Sequence, residues 1–135
     1  MNATRAPTGL LRAVVALIGV HSVLLGLAML FFPMSFSKLV GFPPAASSFF
    51  PSQSGAFLLA LGICYLLALR DRALVWTILV SKTVAVLFLL THALFLDAPP
   101  SVLAAGVGDF AMLSATLWAM SVERPTTRHG SSTHG

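Results

Sequence analysis

Four apolar runs, each approaching the length of a membrane crossing, leave this chain little choice of fold. They occupy approximately residues 11–32, 54–69, 73–96 and 102–122. Crossing about 30 Å of hydrocarbon takes about 20 helical residues, a length the second run reaches only by borrowing from Pro51 onward. None of the runs alternates polar with apolar residues, as a transmembrane strand requires. Of the 135 residues, 57% are hydrophobic and 9% are charged, whereas soluble domains carry about a quarter charged residues. A chain this small has no interior able to hide so much apolar surface from water, so its solvent is lipid. The expectation is an all-α fold, a transmembrane antiparallel four-helix bundle over residues 11–122.

The joints between the runs differ in kind. Only Arg70-Asp71-Arg72 separates the second run from the third, which predicts a tight antiparallel hairpin. Asp97-Ala98-Pro99-Pro100 joins the third to the fourth, with proline stopping one helix and starting the next. The first loop, 33–53, holds Phe36, Phe42, Phe49 and Phe50 among four prolines. Aromatics at that level predict a loop lying on the membrane interface, with one or two amphipathic helical turns over 34–40. Arg5, Arg12, Arg70, Arg72, Arg124 and Arg128 fall on one side of a four-span topology, against Lys38 on the other. The positive-inside rule then puts both termini in the cytoplasm and loop 33–53 outside. Residues 1–10 become a short cytoplasmic N-terminus and 123–135 a disordered cytoplasmic tail. The first run is too long for a signal-peptide core of about 7–15 residues, and no A-x-A site follows it, so it reads as a retained span. The net charge of +4 sits at the ends of the runs. That placement suits orientation in a membrane and not nucleic-acid binding, which wants a basic face.

Lys82 and Asp109 interrupt the third and fourth runs with opposite charges. Charges at such depth are costly, so they face a partner or a cavity. Lys82 lies ten positions after Arg72, about 15 Å deep at the helical rise, and His21 nine after Arg12, about 14 Å deep. Asp109, nine after Pro100, comes to the same level from the other side. A Lys82–Asp109 ion pair with His21 as third member is therefore the candidate polar centre. It has two readings: a clasp that fixes the register of two helices, or a ligand or proton site. His92 shares a stripe with Lys82 through Ala85 and Leu89, close to the level of Gln53. His92 and Gln53 could line a cavity open to the outside, or be interfacial residues with wet tips.

Small residues recur at helical spacing: Gly19, Ser22 and Gly26 in the first run, and Ala56, Ala60, Cys64 and Ala68 in the second. Such stripes let membrane helices approach closely. Cys64, the sole cysteine, fits there as a packing residue. Gly106 and Gly108 loosen the fourth helix beside Asp109. No HExxH, glycine-rich phosphate loop or CxxC occurs, so the common metal, nucleotide and dithiol chemistries lack their groups and no cofactor is expected. His129 and His134 in the tail are not expected to hold a metal. A haem between His21 and His92 is disfavoured by their different depths.

The order of these features resembles the DoxX-like group of small bacterial four-span proteins, especially its BphX-like branch. The resembling residues are Phe31-Phe32-Pro33, Gln53-Ser54, Ala60-Leu61-Gly62-Ile63, Arg72-Ala73-Leu74, Lys82, His92 and Gly108-Asp109. Together they cover about residues 10–122. The resemblance implies a four-helix bundle in a bacterial inner membrane; some relatives are small subunits of membrane oxidoreductases that deliver electrons to quinone. It carries no catalytic residue over.

The functional expectation is a noncatalytic integral membrane protein, an accessory or small-ligand-binding bundle centred on Lys82, Asp109 and His21. Its partners are the lipid bilayer, a small amphipathic or anionic ligand, and a membrane protein or second copy of the chain; nucleic acid is not among them. The alternatives are a proton-coupled transporter, with Asp109 loading the proton and His21 relaying it, and a membrane subunit of a quinone-linked oxidoreductase.

Overall fold

Prolines, left-handed residues and one acidic cap set the limits of the helices. The computed structural model describes residues 6, 7, 9–44 and 46–123. The tail beyond Glu123, with Arg124, Arg128, His129 and His134, and the segment holding Arg5 lie outside the described residues. Among the described residues five α-helices form: α1 (Gly9–Phe31), α2 (Pro33–Leu39), α3 (Phe49–Leu67), α4 (Val75–Phe95) and α5 (Pro100–Val122). A 3₁₀ turn, Arg72–Leu74, leads into α4, and the Asp71 carboxylate caps it by accepting from the Ala73 amide at 2.9 Å. Pro33 and Pro100 each open a helix, where a missing N–H costs nothing. Gly41, at φ +86°, closes α2. Its amide donates to Lys38 O and that of Phe42 to Ser37 O, the two bonds of a Schellman stop. Asp97 turns the chain after α4 with φ +50°, a conformation aspartate tolerates better than most residues.

α3 begins at Phe49, five residues before Ser54. Pro51 falls in its first turn, where amides have no intrahelical acceptor and proline is harmless. The Phe49 amide is satisfied instead by Ser47 Oγ at 3.0 Å. With that extension, four helical segments among the described residues are long and apolar enough to cross a membrane: Gly9–Phe31, Phe49–Leu67, Arg72–Phe95 and Pro100–Val122. Large apolar side chains such as Leu17, Phe57, Phe88, Leu94 and Trp118 point outward from all four. That coat suits lipid and not water, so the chain is a small multi-span membrane protein.

The spans associate as two pairs, α1 with α3 and α4 with α5. The first pair is built on glycine. A Cβ placed on Gly55 would lie 2.5 Å from the Leu30 amide nitrogen, on Gly26 2.6 Å from that of Leu59, and on Gly62 2.7 Å from that of Val23. Backbone therefore touches backbone along an antiparallel seam, the arrangement small residues permit in membranes. The expected α1 face, Gly19, Ser22 and Gly26, is buried in this seam. On α3 the seam runs through Gly55 and Gly62, while Ala56 and Ala60 are exposed.

The predicted tight hairpin across Arg70-Asp71-Arg72 does not form as a packed pair. α3 and α4 meet near the turn, where Tyr65 Oη and Ser81 Oγ share a hydrogen bond, and then diverge. A groove lined by Leu61, Trp76 and Val80 opens between them. The reason is steric: the glycine face of α3 is committed to α1, and the α4 face toward it carries bulky Trp76 and Val80.

The two pairs join at the end that carries the Arg70–Arg72 turn. There Leu11, Val15 and Ile18 of α1 pack with Tyr65 and Ala68, with Val75 and Ile78 of α4, and with Ala119 of α5. Arg72 and Glu123 bridge the same end at 3.5 Å, and Arg12 reaches Leu69 O at 3.5 Å. Gly55→Ala is expected to cost about 1–3 kcal/mol by forcing α1 and α3 apart. Gly108→Ala, whose added Cβ meets nothing within 4 Å, should leave stability unchanged or slightly raised. Thermal unfolding of both variants in detergent, followed by circular dichroism, checks the contrast.

Candidate functional site

Away from that core the two pairs separate. The space between α1 and α5, backed by α4, is a cavity of about 510 Å³, within the range of about 300–1,000 Å³ usual for small-molecule sites. Its walls are aliphatic: Leu25 and Met29 from α1, Leu58 from α3, Leu89 from α4, Val102 and Met112 from α5. Ala104, Ala105 and Gly108 line its α5 side. The two alanines are exposed there, so the cavity opens sideways between helices.

One end is roofed by α2 and the turn after it. Phe36, Val40 and Phe42 line this end, and Ser101 Oγ, in the first turn of α5, donates to Val40 O. That bond ties the C-terminus of α2 to the N-terminus of α5. The Phe-rich segment thus sends two phenyl rings into the cavity, while Phe49 and Phe50 stay exposed and stack edge to face with centroids 5.4 Å apart.

The other end is polar. Lys82 Nζ donates to Asp109 Oδ1 at 2.5 Å, and their side chains are 6% and 16% exposed. α4 and α5 place the two groups because their turn is short and Gly106 lets the helices close up; a Cβ there would meet Leu90 Cδ2 at 3.0 Å. At nine residues from Pro100, Asp109 lies about 14 Å along its helix, near the middle of the bundle. Both charged residues line the cavity.

His21 and Ser22 line it beside the pair. His21 shares the space with Lys82 and Asp109 but makes no hydrogen bond to either, and its side chain is exposed. Ser22 is the residue that sequence reasoning assigned to packing alone. It is fully buried, yet its Oγ has no hydrogen-bond partner among the described residues. The buried Thr116 hydroxyl donates to Met112 O one turn back at 2.8 Å, and Ser81 and Thr83 do likewise to Thr77 O and Leu79 O. A buried, unsatisfied hydroxyl on a cavity wall is the mark of a missing partner. A serine flanked by His21 at mid-span was the one signal in the sequence that could have raised it.

No family model, curated protein or solved structure matches this chain.

His92 and Gln53 take no part in the cavity. His92 turns its Nδ1 to the Phe88 carbonyl at 2.8 Å and lays its ring on the Phe88 ring, centroids 4.0 Å apart. Lys82 and Leu89 of the α4 stripe do line the cavity, but His92 does not. Gln53 is exposed on α3, on the far side of the α1–α3 seam. Among the described residues no three His, Cys, Asp or Glu side chains gather as a metal would need.

Removing one partner of a buried ion pair strands the other charge. Lys82→Met and Asp109→Leu are each expected to lower stability by on the order of 3 kcal/mol, and the double variant to recover most of it. A double-mutant cycle on unfolding in detergent reads this directly.

Proposed function

We propose that this protein is a noncatalytic membrane bundle that binds a small amphipathic molecule in the cavity between α1 and α5. One observation carries the reading: an apolar chamber of about 510 Å³ ends at mid-bundle on the Lys82–Asp109 pair and the unpartnered Ser22 hydroxyl. Aliphatic walls hold a hydrophobic body, and a few polar groups at one end fix its orientation, the usual division in small-molecule sites. Asp109 is engaged by Lys82, which favours binding over proton-coupled carriage. The sideways opening past Ala104 and Ala105 admits a ligand from the bilayer, where a hydrophobic molecule concentrates.

The protein sits with both termini in the cytoplasm and α2 on the outer face of a bacterial inner membrane. Arg12, Arg70 and Arg72 gather at the turn end and Lys38 at the other, which supports that orientation. The likeness of its Phe31-Phe32-Pro33, Lys82 and Gly108-Asp109 signatures to DoxX-like proteins supports the membrane.

An apolar aryl-diazirine photoprobe in nanodiscs tests the cavity. Saturable labelling of Met29, Leu58, Leu89 or Met112 is expected, and Ala105→Trp should abolish it by filling the opening. Labelling confined to lipid-facing residues such as Leu24 and Leu94, and indifferent to Ala105→Trp, overturns the reading.

A further inference from the structure

The polar end of the cavity selects what it can hold. We propose that its ligand carries an uncharged hydroxyl head, an alcohol or a phenol, that docks among Lys82, Asp109 and Ser22; this rests on the cavity being a ligand site.

The charge balance comes first. Lys82 and Asp109 neutralise one another at 2.5 Å, so the cavity wall offers no net charge to a guest. An anionic or cationic head would enter a low-dielectric chamber with no free countercharge, and isolated charges there are strongly disfavoured. His21 lines the same chamber but makes no bond to the pair, so it leaves the Lys82–Asp109 contact intact.

The hydrogen-bonding inventory comes second. An ammonium has three donors and a carboxylate two acceptor oxygens. The Lys82–Asp109 contact uses one N–H and one oxygen. The free capacity of that pair is thus both donor and acceptor, and the buried Ser22 hydroxyl adds an unpartnered group that can play either part. A head that only accepts, such as an ether or ester carbonyl, leaves the carboxylate unanswered. A hydroxyl both donates and accepts, so one oxygen meets the requirement. The walls leave the body less defined: Met29 and Met112 are flexible and polarisable, so they fit a chain or a ring.

The test displaces the aryl-diazirine probe from wild-type protein in nanodiscs with an equal-length series: decane, 1-decanol, decanoate and decylammonium, compared at equal mole fraction in the bilayer. The expected result is that 1-decanol displaces the probe about tenfold more effectively than decane, the worth of about one hydrogen bond, and more effectively than either charged member. The preference for decanol over decane should fall in Ser22→Ala. It should fall further in the Lys82→Met/Asp109→Leu double variant, which removes both charged groups, and vanish when Ser22→Ala is added to that variant. Equal displacement by decane and decanol overturns the hydroxyl head while leaving the cavity a ligand site. Superior displacement by decanoate or decylammonium overturns its neutrality. Failure of the probe itself to label saturably removes the ligand site altogether.

Discussion

Backbone contact between α1 and α3 is the constraint from which the rest of the arrangement follows. Glycines at 26, 55 and 62 let these two helices approach until amide nitrogens stand too close for a β-carbon to fit between. Such an approach commits α1 to α3 over much of its length. α1 is then free to meet α5 only where large side chains fill the gap, at the end held by Leu11, Val15, Ile18 and Ala119. Beyond Ser22 the gap widens, and the chamber is the space that no side chain there is long enough to fill. Lipid gives no hydrophobic reason to close it, because hydrocarbon solvates an aliphatic wall as well as another aliphatic wall does.

The ion pair belongs to the other helix pair and does a different job. It joins α4 to α5 at mid-depth and lies at the boundary between the packed half and the open half. A charge pair at that boundary keeps its desolvation cost tolerable because each charge answers the other at 2.5 Å. It also gives the open half charge, beside the polar Ser22 and His21. Register between the helices and polarity in the chamber come from one contact, so the two readings of the pair weighed in the sequence are compatible in a single geometry.

How much of this was written in the sequence varies with the physics involved. The four spans were legible because hydrocarbon thickness sets their length and composition alone reveals them. The meeting of Lys82 with Asp109 was legible because a four-residue turn and the helical rise fix depth without any knowledge of packing. Partner choice was not. Arg70-Asp71-Arg72 is as short as a hairpin turn, yet α3 turns its glycines to α1, since side-chain shape, not chain proximity, decides which membrane helices touch. Depth counting left His92 and Gln53 with two readings, a cavity lining or wet interfacial tips, and neither residue lines the cavity. Their level in the membrane was estimated, but the azimuth that turns one to Phe88 and the other outward depends on helix rotation. Ser22 was seen as small when its importance lies in being polar and unanswered.

The separation of the packed end from the hollow end has a consequence for how this architecture can change over generations. Several residues that shape the chamber, such as Leu25, Met29 and Phe36, lie outside the glycine seam and the aliphatic cluster near the Arg72–Glu123 bridge. A substitution at Leu25, Met29 or Phe36 alters volume and shape at a place already unpacked, so it opens no new void in the core and costs folding little. The shape of the chamber can therefore drift without the molecule first gaining surplus stability, a freedom that a uniformly packed bundle of the same size lacks.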